Sequence, residues 1–468
     1  MNRPPGPDAP RPLTREMKIA GALLLTLSAV TPASSVFVII PGIIQQAGTG
    51  AFISLAAAAV VGLAMAFIYA ELGSAWPLAG GEYAMLGRAL GPFVGFVYLG
   101  MYTVGSTLAP AVLSLGASAY IAGVWPGAPP VPVAIGIVAF ATVLGILNIR
   151  TNAKVTGAFL MIEVAALVVL AILGFAHPHR GVGDLVLHPV ALAAGKLTAA
   201  PAAMIGLATA VAIFAYNGFG STVYFGEEMH GAPRRVARTI LMALGLTVAF
   251  EFVPVAAVLL GAPDLKSLIA SQDPFGDFVT ATGGRALNIA VSLGVALAIV
   301  NAVIAIVLIN ARFFYSTGRD RMWHGAANAA LTRVHGRFHS PWVATLLSGV
   351  TGIATCFVPF HFLLVLNGTG VVVLYVLLCL AAIAGRRSGA TAHAAFRMPL
   401  YPLAPVLGLA ALAYVLWANW QDLDVGRPSL IATLVMMALA VAYYLIMRRR
   451  RGADWAMSGP AETEGSEA

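Results

Sequence analysis

The sequence predicts an all-α polytopic membrane protein with twelve transmembrane helices. Three observations predict it: a charge-poor apolar composition, a succession of apolar segments long enough to cross a bilayer, and basic residues gathered in every second connection. Of 468 residues, 59% are AVILMFWYC and 10% are charged, with a mean hydropathy of +0.88. A soluble domain carries roughly 25% charged residues, so this chain has too little polar surface to cover soluble cores. A pI near 9.7 does not mark a nucleic-acid binder, because no basic run is interleaved with aromatics. Cys356 and Cys379 both lie in apolar stretches, which leaves no disulfide framework and no Cys/His metal spacing. HExxH, GxSxG and an intramembrane Asp pair are all missing, so the sequence does not read as an enzyme.

A spanning helix needs about 20 mostly apolar residues. Segments of that kind occur at 17–46, 49–75, 92–123, 131–149, 153–176, 199–229, 236–261, 286–317, 342–359, 362–384, 403–420 and 429–447. The resulting order is a cytoplasmic N-terminus (1–16), five helices (17–176), an extracytoplasmic loop (177–198), five more helices (199–384), a cytoplasmic loop (385–402), two last helices (403–447) and a cytoplasmic tail (448–468). The Pro-rich start and the small, polar, acidic end read as disordered. The first apolar run continues without a credible A-x-A site, so no cleavable signal is expected.

Twelve spans put both termini on one side. With that side cytoplasmic, 22 of the 27 Lys and Arg residues fall in cytoplasmic segments, as the positive-inside rule requires. The expected location is the inner (plasma) membrane, with lipids as the surrounding partner.

A carboxylate at mid-membrane costs about 2.5 to 3.5 kcal/mol on insertion scales and needs a partner, a proton or a cavity. Glu163, at the centre of LMIEVAALVV, is read either as a protonated residue bonded to a neighbouring helix or as a proton-coupling site. Glu251, just before Pro254, is read as a second coupling candidate or as a side chain that satisfies backbone freed by the proline. Glu71, Glu227 and Glu228 stand at cytoplasmic helix ends, with Arg88, Arg234 and Arg235 near in sequence as partners for interfacial ion pairs or gate contacts. The nine histidines include one HxH pair, His177 and His179, without a third ligand at helical spacing, so no metal site is expected.

Two of the long apolar segments are interrupted. Thr31-Pro32-Ala33-Ser34-Ser35 breaks the first, since Pro32 lacks an N–H and clashes with the preceding turn. Phe214 to Ser221 (FAYNGFGS) places two glycines and an Asn in the sixth. Broken backbone at membrane depth is tolerated where it lines a cavity or is buried in protein. These segments open two sets of five helices, and an odd number gives the sets opposite orientations. Interruptions at matching places of inverted halves point to a transporter's substrate site. Half-helix N-termini attract an anionic group and half-helix carbonyls attract a cation, so an amino acid carries both matching charges.

Four stretches resemble the amino acid-polyamine-organocation (APC) superfamily of secondary transporters. They are YAELGSAWPLAGGEYAMLGRALG, FAYNGFGSTVYFGEEMHGAPRRVARTI, NARFFYSTGRDRM with the later HGRFHSPWVA, and FRMPLYPLAPVLG. The resemblance implies a LeuT-type fold, a five-plus-five inverted repeat with broken helices 1 and 6 and two added C-terminal helices. It implies a permease that moves amino acids or related small amines by alternating access, proton-coupled or exchanging, without a cofactor, as a monomer or homodimer. A polyamine or amino-alcohol permease is the near alternative, and a membrane sensor without transport a more distant one. By position the substrate site falls on Thr31, Ala33, Ser34, Ser35 and Val36, and on Phe214, Ala215, Tyr216, Asn217, Gly218, Phe219 and Gly220, with Thr103 and Asn301 from helices three and eight. The coupling residues are then Glu163 and Glu251, and the cytoplasmic network holds Glu71, Glu227, Glu228, Arg234 and Arg235. Two departures stand out: Ala33-Ser34-Ser35 replaces the common Gly-Ser-Gly, and the fifth helix lacks the mid-helix Lys that proton-coupled relatives often carry, with Glu163 the one charge deep in that stretch.

Overall fold

The computed structural model describes residues 15–125, 127–147, 149–358, 360–424 and 426–451, so the expected disorder of the first 14 residues and of the end of the tail lies outside the described residues. The described residues are mostly helical. The first half runs α1 (Ile19–Val30), α2 (Pro32–Ser34), a π turn (Ser35–Ile39), α3 (Ile40–Ala47), α4 (Ala51–Ala75), α5 (Glu82–Leu90), α6 (Pro92–Val124), α7 (Pro130–Ile146) and α8 (Ile149–Ala176). Next come α9 (Val182–Leu187) and a hairpin of β1 (Val190–Ala193) and β2 (Lys196–Ala199), antiparallel with Val190 opposite Ala199. The second half holds α10 (Ala202–Ala215), a 3-10 segment (Phe219–Glu228), α11 (Ala232–Gly261), α12 (Leu265–Ala270), α13 (Pro274–Gly283) and α14 (Arg285–Arg319). It ends with α15 (Gly325–Leu331), α16 (Trp342–Thr355), α17 (Phe360–Ser388), α18 (Leu403–Gln421) and α19 (Gly426–Arg451).

By length and composition, nine stretches of the described residues can cross a membrane, the first of them Ile19–Ala75 with 57 residues. Pro130–Ile146 and Trp342–Thr355 are shorter apolar helices. Large apolar side chains such as Val60, Met161, Val350 and Leu434 are exposed on the outside of the bundle. That arrangement suits lipid, where apolar exposure costs nothing and each backbone group is satisfied within its own helix. The protein is therefore a polytopic helical membrane protein.

Two buried apolar clusters fill the bundle, one toward each end. Leu25, ahead of the first interruption, belongs to one cluster, whereas Ala33 and Val36 beyond it belong to the other. In the second interrupted segment Tyr216 and Phe219 divide the same way. Both chain breaks thus lie where the two apolar cores meet.

The loop after α8 is more ordered than its sequence suggests. Val190 donates its N–H to Thr49 Oγ1 at 2.8 Å, and a Cβ on Gly48, whose φ is +58°, would come within 2.0 Å of the Val190 carbonyl. The hairpin is consequently locked over the end of α3.

Candidate functional site: two chain breaks and their buried carboxyls

The first break is sharper than the run Thr31 to Ser35 implies. Thr31 alone leaves the helix, at φ 50° and ψ 70°, and Pro32 starts the next helical turn at once. The fixed φ of proline suits a first helical position, where its missing N–H is least costly. The strain concentrates in one left-handed residue, and the π turn Ser35–Ile39 then re-aims the chain into α3. In the sixth segment α10 stops at Ala215, Tyr216 and Asn217 form a turn, and Gly218 takes φ +115° before the 3-10 segment begins.

The breaks touch each other. A Cβ on Gly218 would lie 3.0 Å from Val30 Cγ2 and 3.1 Å from Val30 Cα, so only glycine permits this approach and this φ. Ser35 Oγ donates to the Ala215 carbonyl at 2.9 Å, which satisfies an acceptor at the end of α10. Asn217 Oδ1 accepts from Tyr375 Oη at 2.7 Å, a contact from α17 that sequence reasoning missed.

Glu163 reaches into this junction from α8. Its Oε1 accepts from the Ala33 N–H at 2.8 Å and from Thr31 Oγ1 at 3.3 Å, while Thr31 Oγ1 also lies 3.5 Å from the Ala298 carbonyl of α14. Glu163 is fully buried, and its Oε2 has no partner. One carboxyl therefore bridges the fifth apolar segment to the break in the first. Glu163 is thus bonded to a neighbouring helix as an acceptor, and that helix is the broken one.

Glu251 on α11 is also fully buried, with both oxygens unpartnered. It therefore does not satisfy backbone freed by Pro254, as one sequence reading expected. It lies close enough to Ser35, Glu163 and Tyr216 for each pair to interact electrostatically.

The remaining expected site residues divide. Ala33, Ser35, Val36, Ala215, Tyr216, Phe219 and Gly220 are buried at the junction, and Ser34, Asn217 and Gly218 are half-buried beside it. Phe214 is 41% exposed and turns away from that buried group. Thr103 donates to the Leu99 carbonyl one turn back in its own helix at 2.8 Å, and no bond ties it to either break. Asn301 is buried and donates to Ser28 Oγ at 2.8 Å and to the Thr156 carbonyl at 3.1 Å, which pins α14 and α8 to α1 just ahead of the break.

The acidic helix ends do form a network, with partners other than those near in sequence. Glu228 holds Arg312 through two bonds of 2.7 and 3.2 Å, Glu227 holds Arg319 at 2.6 and 2.7 Å, and Glu71 holds Arg386 at 2.6 Å through each oxygen. Arg234 and Arg235 take part in none of these pairs. Arg234 instead lines an outer groove with Arg238, Leu241 and Phe396. The first turn of α11 points its basic side chains outward, whereas Arg312 and Arg319 come from the buried face of α14. An Arg two turns inside the end of a long apolar helix was the available signal, because such a charge needs a partner at depth. The segment before α1 closes the same end: Met17 donates to the Glu228 carbonyl at 2.9 Å and His230 donates to the Met17 carbonyl at 3.2 Å.

Glu82 opens α5, the short helix between the second and third apolar segments, and is buried among tyrosines. Tyr69 Oη donates to it at 3.2 Å. Burial pushes the Glu82 carboxyl up to about 7, against weaker opposing hydrogen bonds. The sequence singled out its stretch only as part of a resemblance.

The family model described as amino acid permease matches residues 19–441. Among curated relatives, an uncharacterized transporter of Mycobacterium tuberculosis is 26% identical over 476 residues, covering 99% of each chain. The branched-chain amino acid permease BcaP of Lactococcus lactis is 24% identical over 448 residues, with 90% of this chain and 92% of that one covered. The methylthioribose transporter of Bacillus subtilis is 22% identical over 417 residues, with 81% and 86% covered. With a family match across nearly its whole helical region, the chain belongs to the amino acid permease family of the APC superfamily and is a membrane transporter.

Proposed function

We propose that the protein is a secondary active transporter that carries amino acids or related small amines by alternating access, driven by a proton or by exchange. In this reading twelve helices form a LeuT-type inverted repeat with both termini in the cytoplasm of an inner (plasma) membrane. The substrate site lies at mid-membrane between the two breaks, and Glu163 carries the coupling proton. One observation carries the reading: the buried Glu163 carboxyl is bonded to the Ala33 N–H and the Thr31 hydroxyl at the first break. A change of protonation there alters what holds the two halves of the broken helix, so proton occupancy and helix position are linked. The three Glu–Arg pairs at the charged end suit a closed cytoplasmic gate, since a buried pair that must separate sets a barrier to opening.

Purified protein in proteoliposomes, given labelled amino acids and amines with and without an inward proton gradient, tests this. Saturable uptake that rises with the gradient, or saturable counterflow, is expected. The absence of saturable uptake and of counterflow for every candidate would overturn it.

A further inference from the structure

The outer groove beside the first turns of α11 takes no part in the junction of the two breaks. It measures about 470 Å³ and lies between Arg234, Ala237, Arg238, Leu241 and Met242 of α11 on one side and Phe396, from the loop after α17, on the other. The α11 positions recur at steps of three and four and so share one face of the helix. Arg234 and Arg238 are exposed one turn apart, and among the described residues their guanidinium groups form no hydrogen bond or ion pair. No acidic side chain is among the described residues that line the groove. Like charges at this spacing repel, and an anion held between them relieves that repulsion.

The far wall is fixed. The Phe396 N–H donates to Ser74 Oγ at 3.1 Å, and the Phe396 ring stacks on Phe67 of α4 with centroids 6.3 Å apart. Two residues on, the Met398 N–H donates to Glu71 Oε2 at 2.8 Å. Bonds to α4 therefore hold the groove in shape.

The exposed face of α11 continues beyond the arginines as an apolar stripe. Met242, Gly245, Ala249 and Val253 follow at steps of three or four residues, and all four are exposed. From Arg238 to Ala249 the helix rises about 16 Å, the depth of one leaflet of a hydrocarbon core about 30 Å thick. Charge at the helix end and apolar surface through one leaflet match the two parts of a phospholipid. A guanidinium presents paired N–H donors to phosphate oxygens. A zwitterionic headgroup would also bring an ammonium against the same two arginines.

We propose that this groove binds an anionic phospholipid, with Arg234 and Arg238 gripping its phosphate and an acyl chain lying along Leu241, Met242 and the stripe above them. The site rests on the membrane class of the protein and is independent of what the protein carries. A basic side chain at an anionic membrane surface strengthens binding several-fold, so losing two weakens it at least about tenfold.

The test uses the full-length protein, delipidated in detergent, in native mass spectrometry and thermal melts with dioleoyl phosphatidylglycerol, dioleoyl phosphatidylcholine or inorganic phosphate. Phosphatidylglycerol is expected to stay bound and raise the melting temperature, with phosphatidylcholine at least about tenfold weaker and inorganic phosphate without effect. Arg234→Gln with Arg238→Gln should weaken phosphatidylglycerol binding at least about tenfold. Arg449→Gln with Arg450→Gln, which removes the same charge from exposed positions at the end of α19, should leave it in place. Should the α11 double variant fail to fold, a photoactivatable phosphatidylglycerol on the unaltered protein decides, with crosslinks expected on the peptides that hold 234–242 or 395–396. Equal binding of the two lipids, equal loss in both double variants, or crosslinks only elsewhere overturns the site. Stabilisation by inorganic phosphate to the same extent reassigns the arginines to a free anion and also overturns the lipid.

Discussion

The Glu163 carboxyl accepts the backbone N–H of Ala33 at 2.8 Å, so a side chain from α8 caps the first available amide after the break in the first long helix. A capping acceptor satisfies a donor that would otherwise be orphaned in an apolar core. Glu163→Gln keeps an acceptor oxygen but removes the titratable proton. We expect acid-driven uptake to fall at least about tenfold while exchange persists, a split that a purely structural role does not produce. Uptake with an unchanged pH dependence would count against the coupling role. Glu163→Ala, which leaves the Ala33 N–H without its partner, should also cost about 1–3 kcal/mol of stability.

Gly218 meets Val30 at the contact between the two breaks. Gly218→Ala places a methyl 3.1 Å from Val30 Cα at φ +115°, where an L side chain is strained. The expected cost is about 1–3 kcal/mol, read as a lower melting temperature, with uptake reduced because both breaks must shift apart. Gly42→Ala is the control: a Cβ there meets nothing within 4 Å, and melting should barely move.

Arg312 and Glu228 form a pair that is almost wholly buried, with side chains 1% and 3% exposed. Arg312 also donates to the Leu308 carbonyl at 3.2 Å and lies over the Phe225 ring. Removing one partner strands the other charge, so Arg312→Met should destabilise by about 3–5 kcal/mol. The double variant Arg312→Met with Glu228→Gln should recover part of that loss. A thermal melt of the two single variants and the double variant measures it, and strictly additive effects would speak against a coupled pair.

Glu82 ties stability to pH through burial. Its carboxyl stands at about 7 in the folded protein against an ordinary 4.5. The folded state therefore binds more protons than the unfolded state between those values, and stability falls as pH rises from 4.5 to 7. Below 4.5 the contribution is fully present, and above 7 it is lost. The shift corresponds to a penalty on the order of 3 kcal/mol. Glu82→Gln should flatten this part of the melting-temperature profile, and a profile unchanged by the substitution would refute the assignment.

Much of the arrangement was legible in the residues. A Pro in the first apolar run and two glycines in the sixth marked both breaks, because backbone chemistry is local: Pro32 has no N–H in any fold, and Gly218 alone accepts φ +115° at this close contact. The depth of Glu163 was likewise readable, since one charge at the centre of an apolar run needs a reason wherever that run packs. What misled was nearness along the chain. Arg234 and Arg235 follow Glu227 and Glu228 within a few residues, yet the carboxylates reach Arg319 and Arg312 of α14, and Glu71 reaches Arg386 of α17.

The sequence by itself determined the membrane class, the positions of the apolar helices, the two interruptions and the presence of buried acid. Those follow from composition, hydropathy and the conformational limits of single residues. Only the tertiary structure decided which groups meet: Glu163 with Ala33, Gly218 with Val30, Asn217 with Tyr375, and Glu228 with Arg312. The physical reason is that a helix direction is set locally, whereas the facing of its side chains depends on how it rotates against neighbours distant in the chain. In a bundle that buries small residues on many faces, hydropathy leaves that rotation open.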